Sequence, residues 1–142
     1  EFGRIDIFFN NAGIEGGKDG VSRYLPDFTL EAFQEIVGVN LTGVFLGLKY
    51  VLPVMQSQRA GVVINTGSTG SHVGATGVAA YVASKHAVLG LTRCAALEVA
   101  GDGVRVNAVC PGSTRTRMLQ SLAEGGRLFS SDSAWTTSMA SR

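Results

Sequence analysis

Val62-Val63-Ile64-Asn65-Thr66 is a short β-branched run that breaks into Gly67-Ser68-Thr69-Gly70, and a long apolar stretch follows from Val78 to Ala100. The run reads as a strand closed by turn residues. The stretch reads as a helix, stopped at Gly101-Asp102-Gly103. After it, Val104-Arg105-Val106-Asn107-Ala108-Val109 is again strand-like and meets Pro111-Gly112. Toward the N-terminus, Ile5-Asp6-Ile7-Phe8-Phe9-Asn10 has the same character and ends in Asn11-Ala12-Gly13. Thr29 is a good N-cap with Glu31 and Ala32 in the first turn, and a helical pattern then runs toward Gln58. Gly38, Asn40 and Gly43 weaken its middle and predict a kink or break there. Strand, helix, strand, helix, strand implies an α/β fold with parallel pairing and right-handed crossovers.

The helix from Val78 to Ala100 carries Ala79, Val82, Ala87, Val88, Leu91, Ala95 and Leu97 nearly all the way round. A helix apolar on every side is expected to be buried on every side. One face can lie on the sheet, and the other is expected to meet a partner subunit, so a homo-oligomer is predicted through this helix. From Ser113 the character changes. Residues from Met118 to Glu124 suggest a short helix, Gly125-Gly126 breaks it, and the Ser/Thr-rich end shows no regular element after Phe129. The expected division is therefore 1–118 as the folded domain and 119–142 as an irregular C-terminal segment.

Composition narrows the function classes. The chain has 142 residues, which suits one domain, and 45% are apolar, enough for a real core. The net charge of +1 gives no electrostatic footprint for nucleic acid. No run of about 18 residues is free of polar side chains, so no membrane span or membrane partner is expected. Cys94 and Cys110 are too far apart for a Cys-x-x-Cys motif and too few for a metal cluster, so no metal site is expected. A reducing, cytoplasmic location fits them. The start, Glu1-Phe2-Gly3-Arg4, is no signal peptide and lacks an initiating methionine, so the chain reads as cut from something longer.

Tyr81 and Lys85 are four residues apart in the second helix, which places both on one face. A phenol with a pKa near ~10 is a poor acid–base group at neutral pH. A neighbouring ammonium is expected to lower that pKa, making the pair a proton donor and acceptor for a hydroxyl or carbonyl. Ser68 follows the second strand, thirteen residues before Tyr81, where α/β sheets place ligands. Its hydroxyl could hold a substrate oxygen, whereas Thr69 and Ser71 read as turn-formers. Gly67-Ser68-Thr69-Gly70 lacks the lysine of a phosphate loop and fits Gly-x-Gly-x-x-Gly badly. The small residues of Asn10-Asn11-Ala12-Gly13 let a ligand approach the backbone, or the asparagines only pin turns. Asn40 is a polar amide in an apolar helix segment and must find partners.

In this order, Asn-Asn-Ala-Gly, Asn, Ser, Tyr-x-x-x-Lys and Pro-Gly, the sequence resembles the short-chain dehydrogenase/reductase family. The likeness runs from about Phe2 to Met118 and includes Phe2-Gly3-Arg4-Ile5-Asp6, Val39-Asn40-Leu41-Thr42-Gly43-Val44-Phe45 and Val106-Asn107-Ala108-Val109-Cys110-Pro111-Gly112. It implies a partial Rossmann-like doubly wound parallel sheet of about three strands with two long helices, incomplete at both ends. It implies an oxidoreductase moving hydride between NAD or NADP and an alcohol or carbonyl substrate. Tyr81 would be the acid and base, and Ser68 would steady the substrate oxygen. Lys85 would lower the tyrosine pKa and hold the nicotinamide ribose, and Asn40 would position a water in the proton relay. Asn11, Ala12, Gly13, Tyr81, Lys85, Pro111, Gly112 and Thr116 would lie along the cofactor.

The sequence departs from that family pattern at both ends. It has no Gly-rich fingerprint before Asn10, and the residue that selects NAD or NADP, about twenty positions past such a turn, is also missing. At the far end, Leu128 to Met139 looks like a late family segment set unusually close to Met118. A second reading therefore stands beside the enzyme: a non-catalytic remnant kept as a dimerisation or interaction module. A Gly-rich turn in frame upstream of Glu1 would favour the enzyme.

Overall fold

The computed structural model describes residues 3–16, 24–114 and 116. Three strands form one parallel sheet in the order β1-β2-β3: β1 Ile7–Asn10, β2 Gly61–Thr66 and β3 Val104–Val109. The first crossover contains α1 (Leu30–Val37) and α2 (Gly43–Gln58), joined through a π-helical segment, Gly38–Thr42. The second contains α3 (Ala79–Glu98). The expected α/β order of elements is the one observed. The short helix anticipated near Met118 and the division at residue 118 lie outside the described residues.

Local chemistry sets these boundaries. Thr29 caps α1, its hydroxyl accepting from the Ala32 amide at 3.2 Å. The anticipated irregularity falls on Gly38–Thr42, where the ladder widens by one residue and the Gly43 amide bonds the Gly38 carbonyl. Asn40, fully buried at its centre, has its amide drawn sideways to the backbone of Ile14, with both bonds at 2.7 Å. Pro53 sits inside α2 without ending it. β1 starts at Ile7, two residues later than the sequence suggests. The Ile5 amide and carbonyl are both taken by the Gln58 side chain at 2.8 Å, so they are not free to join a ladder.

The core lies on one face of the sheet. Val63, Val104 and Val106 meet Val44, Leu48, Val51 and Met55 of α2 and Val88 and Ala95 of α3. α2 reaches β1 closely because Gly47 is bare: a methyl built there would lie 2.7 Å from Asn10 Nδ2 and 2.8 Å from Phe8 Cε1. Among the described residues the other sheet face is open, with Ile7 69% and Phe9 55% exposed. The sequence predicts one face of α3 on the sheet and the other against a partner subunit. Ala80, Ser84, Lys85, Val88, Thr92 and Ala95 are buried, but Ala83, Gly90 and Leu97 are exposed. The exposed side is the one for which the sequence predicts a partner subunit.

The continuous helical span Leu30–Gln58 is, by length and a mean hydropathy of 1.5, apolar enough to cross a membrane. Its buried side chains Ile36, Asn40, Val44, Leu48 and Met55 instead face the sheet and α3.

Candidate active site

Parallel pairing brings the carboxyl ends of all three strands to one edge, where loops in α/β sheets hold ligands. Asn11 leaves β1 there, Thr66-Gly67-Ser68 leaves β2, and Cys110-Pro111-Gly112 leaves β3. The loops are tied together. The Thr66 hydroxyl donates to Asn11 Oδ1 at 2.8 Å, the Gly67 amide to the Val109 carbonyl at 2.8 Å, and the Thr69 amide to the Pro111 carbonyl at 3.0 Å.

α3 begins beneath this edge and delivers Tyr81 and Lys85 one turn apart. Lys85 is buried, donates from Nζ to the Thr66 carbonyl at 2.8 Å, and lies 5.7 Å from the centre of the Tyr81 ring. Ser68 caps the short turn Thr69–Ser71, its hydroxyl accepting from the Gly70 amide at 3.1 Å. A methyl built on Gly70 would be 3.5 Å from Ser68 Oγ and 3.6 Å from Tyr81 Cε1, so hydroxyl and ring both lie close to the same glycine. A methyl on Gly13 would be 3.4 Å from both Asn40 Oδ1 and Lys85 Nζ. The Asn11-Ala12-Gly13 turn thus closes over the lysine, with Asn40 holding the next residue, Ile14, in place.

The electrostatics differ from the sequence expectation in one respect. Burial pushes the Tyr81 phenol above its ordinary 10.0; the Ser68 hydroxyl opposes the shift and the Glu15 carboxylate adds to it. The anticipated lowering by Lys85 is not what dominates, because desolvation disfavours the phenolate. Burial likewise holds Lys85 below 10.5, opposed by the nearby Cys110 sulfur.

The structure therefore brings together Asn40, Ser68, Tyr81, Lys85 and Gly13, with Asn11 joined through Thr66. Pro111 is tied to the Ser68 loop, and Gly112 approaches Thr69, a methyl on it reaching Cγ2 at 3.8 Å. Ala12 and Thr116 are exposed. Among the described residues no group of His, Cys, Asp and Glu could hold a metal ion. Sequence reasoning missed Ser84, which accepts from Asn40 Nδ2 at 3.1 Å and donates to the Tyr81 carbonyl at 2.7 Å. It lies four residues before Val88 on the buried face, and helical spacing could have found it. Ser71 was also missed, and its Ser-x-x-Ser spacing from Ser68 was the available signal.

A parallel sheet with a phenol, an ammonium and a hydroxyl gathered at its carboxyl edge defines a class of α/β protein. The short chain dehydrogenase family matches residues 1–126, and the chain belongs to that family. It is 47% identical over 119 residues to levodione reductase of Leifsonia aquatica, covering 84% of this chain and 43% of the relative. The crystal structure of levodione reductase superposes with a TM-score of 0.82 at 45% identity, over 87% of this chain and 46% of that one. NAD+-bound xylitol dehydrogenase gives 0.81 at 36% identity, covering 88% and 47%. ElxO with NADP bound gives 0.78 at 36% identity, covering 92% and 51%. The chain spans about half the length of the relatives it matches, and it has the partial Rossmann-like sheet of these structures.

Proposed function

We propose that the protein carrying this sequence is an oxidoreductase that uses NAD or NADP to interconvert a small alcohol and its carbonyl. The nearness of Ser68 Oγ and the Tyr81 ring to the same glycine, Gly70, carries this reading. Two hydroxyl groups so close together would meet one substrate oxygen. In reduction Tyr81 gives its phenol proton to the carbonyl oxygen, and in oxidation the phenolate takes it back from the alcohol. Ser68 donates a hydrogen bond to the same oxygen. The nicotinamide, when bound, supplies or accepts the hydride.

The residues fit that cofactor at its nicotinamide end. Lys85 gives the Thr66 carbonyl one of its three ammonium donors, which leaves capacity for ribose hydroxyls. Bare Gly13 keeps the backbone low beside Nζ. Asn11, Ala12, Pro111, Gly112 and Thr116 would line the approach. Asn40, through the π-helical segment it occupies, would place a water that passes protons to Lys85. π-helical turns recur at functional positions.

A homo-oligomer formed through α3 and a cytoplasmic location complete the proposal. The exposed outer side of α3 and the free thiols Cys94 and Cys110 support them. The test is absorbance of the reduced nicotinamide with a panel of secondary alcohols and ketones, offered NAD and NADP in turn. Substrate-dependent change in absorbance is expected with at least one cofactor. No change with any pair, in folded protein that binds the cofactor, contradicts the reading.

A further inference from the structure

Ser71 is buried, at 3% exposure, and its hydroxyl makes two bonds, one that closes the cap of the Thr69–Ser71 turn and one that leaves the turn for α3. It accepts from the Ser68 amide at 3.1 Å and donates to the Lys85 carbonyl at 2.8 Å. The first bond reaches the residue that presents a hydroxyl to the site, and the second reaches the helix turn that carries the ammonium. One oxygen thus joins the β2 loop to α3 between the two halves of the polar cluster. The joint is tight. Gly67 is bare where a methyl would lie 3.0 Å from Ser71 Oγ and 2.8 Å from Cys110 Sγ. A side chain at 67 would push against the serine and against the loop after β3.

We propose that Ser71 is a positioning residue, whose hydroxyl fixes the Ser68 loop against the Tyr81–Lys85 turn of α3 and so sets the distance between the Ser68 hydroxyl and the Tyr81 phenol. The proposal rests on the reading of Ser68, Tyr81 and Lys85 given above and deepens it. Without the hydroxyl the Ser68 amide loses its acceptor, and the loop keeps its backbone ties to Val109 and Pro111 but loses this tie to α3. Two bonds join β2 itself to α3, and neither holds the Ser68 loop. Lys85 Nζ donates to the Thr66 carbonyl at the strand end at 2.8 Å, and Asn65 Nδ2 donates to Thr92 Oγ1 at 2.9 Å, two helical turns beyond Lys85.

The Ser68 hydroxyl lowers the Tyr81 phenol, so the phenol reports their contact. The experiment is a pH titration of the full chain labelled with carbon-13 at tyrosine Cζ, with Tyr81 assigned among Tyr24, Tyr50 and Tyr81. Glu15 and Lys85, the other charged groups near the ring, are kept unchanged. Ser71→Ala is expected to move the Tyr81 midpoint upward, as Ser68→Ala does. Thr92→Val, which removes a buried bond from β2 to the same helix, is expected to leave it in place. If Ser68→Ala moves the midpoint and Ser71→Ala does not, Ser71 positions nothing, while the reading of Ser68 and Tyr81 survives. If Ser68→Ala itself has no effect, both fail. Hydrogen exchange in the unaltered chain gives a check that needs no variant. The Ser68 amide is expected to exchange at least about a hundredfold slower than an unstructured amide. Exchange at the unprotected rate would overturn the proposal.

Discussion

Tyr81 and Lys85 show how a single spacing can be legible while its energetics are not. Four residues on a helix must share a face, so the pair could be read from the sequence. The direction of the tyrosine shift could not, because it depends on desolvation by loops distant in the chain. The sign has a consequence for stability. A phenol pKa raised by folding means that the fold prefers the neutral form. That preference is fully present below the unfolded value of about 10 and is lost as the pH climbs through the folded value. Lys85, lowered by burial, acts the other way, and its cost is relieved as the pH rises toward 10.5. Urea unfolding between pH 8 and pH 11 is therefore expected to show a fall above about pH 10 that Tyr81→Phe removes, since both chains keep Lys85. Identical profiles would contradict the raised phenol. Ser71 was passed over for a related reason, although its spacing from Ser68 was a signal. Serine in a Ser/Gly loop is a good turn-former by composition, and only the tertiary partner reveals another role.

Elements were read well where periodicity decides and less well where one side chain intervenes. The three strands and the crossover helices follow from β-branched runs and a 3.6-residue pattern. β1 lost Ile5 to Gln58, an amide donor and acceptor 53 residues away that no local pattern announces. The irregularity near Asn40 was legible from Gly38 and Gly43, but its π-helical form reflects the pull of Asn40 toward Ile14. Two substitutions test these packing statements by denaturant unfolding. Gly47→Ala forces a methyl against Asn10 and Phe8, and overpacking of this kind costs about 1–3 kcal/mol. An unchanged midpoint would mean that α2 does not pack on β1 this closely. Thr29→Ala removes the cap of α1 and is expected to cost about 1 kcal/mol, with no loss indicating that the cap is not formed.

At the scale of the molecule, two apolar surfaces stay uncovered among the described residues. One is the sheet face with Ile7 and Phe9; the other is the outer side of the helices, with Phe45 46%, Tyr50 67% and Leu97 80% exposed. Parallel sheets are ordinarily covered on both faces, and large apolar patches mark contact sites. The 142-residue chain in isolation is expected to run as a dimer or larger in size-exclusion chromatography with light scattering. A sharp monomer peak with cooperative thermal unfolding would contradict this.

The central claim is that the polar cluster at the strand ends moves a proton in step with hydride transfer, and Tyr81 is its one acid–base group. Turnover by the protein carrying this sequence, compared with its Tyr81→Phe variant, tests that most directly. The account predicts a loss of roughly 10²–10⁴-fold in kcat with cofactor binding and thermal unfolding little changed. Turnover by the folded variant at the rate of the unaltered protein would contradict it.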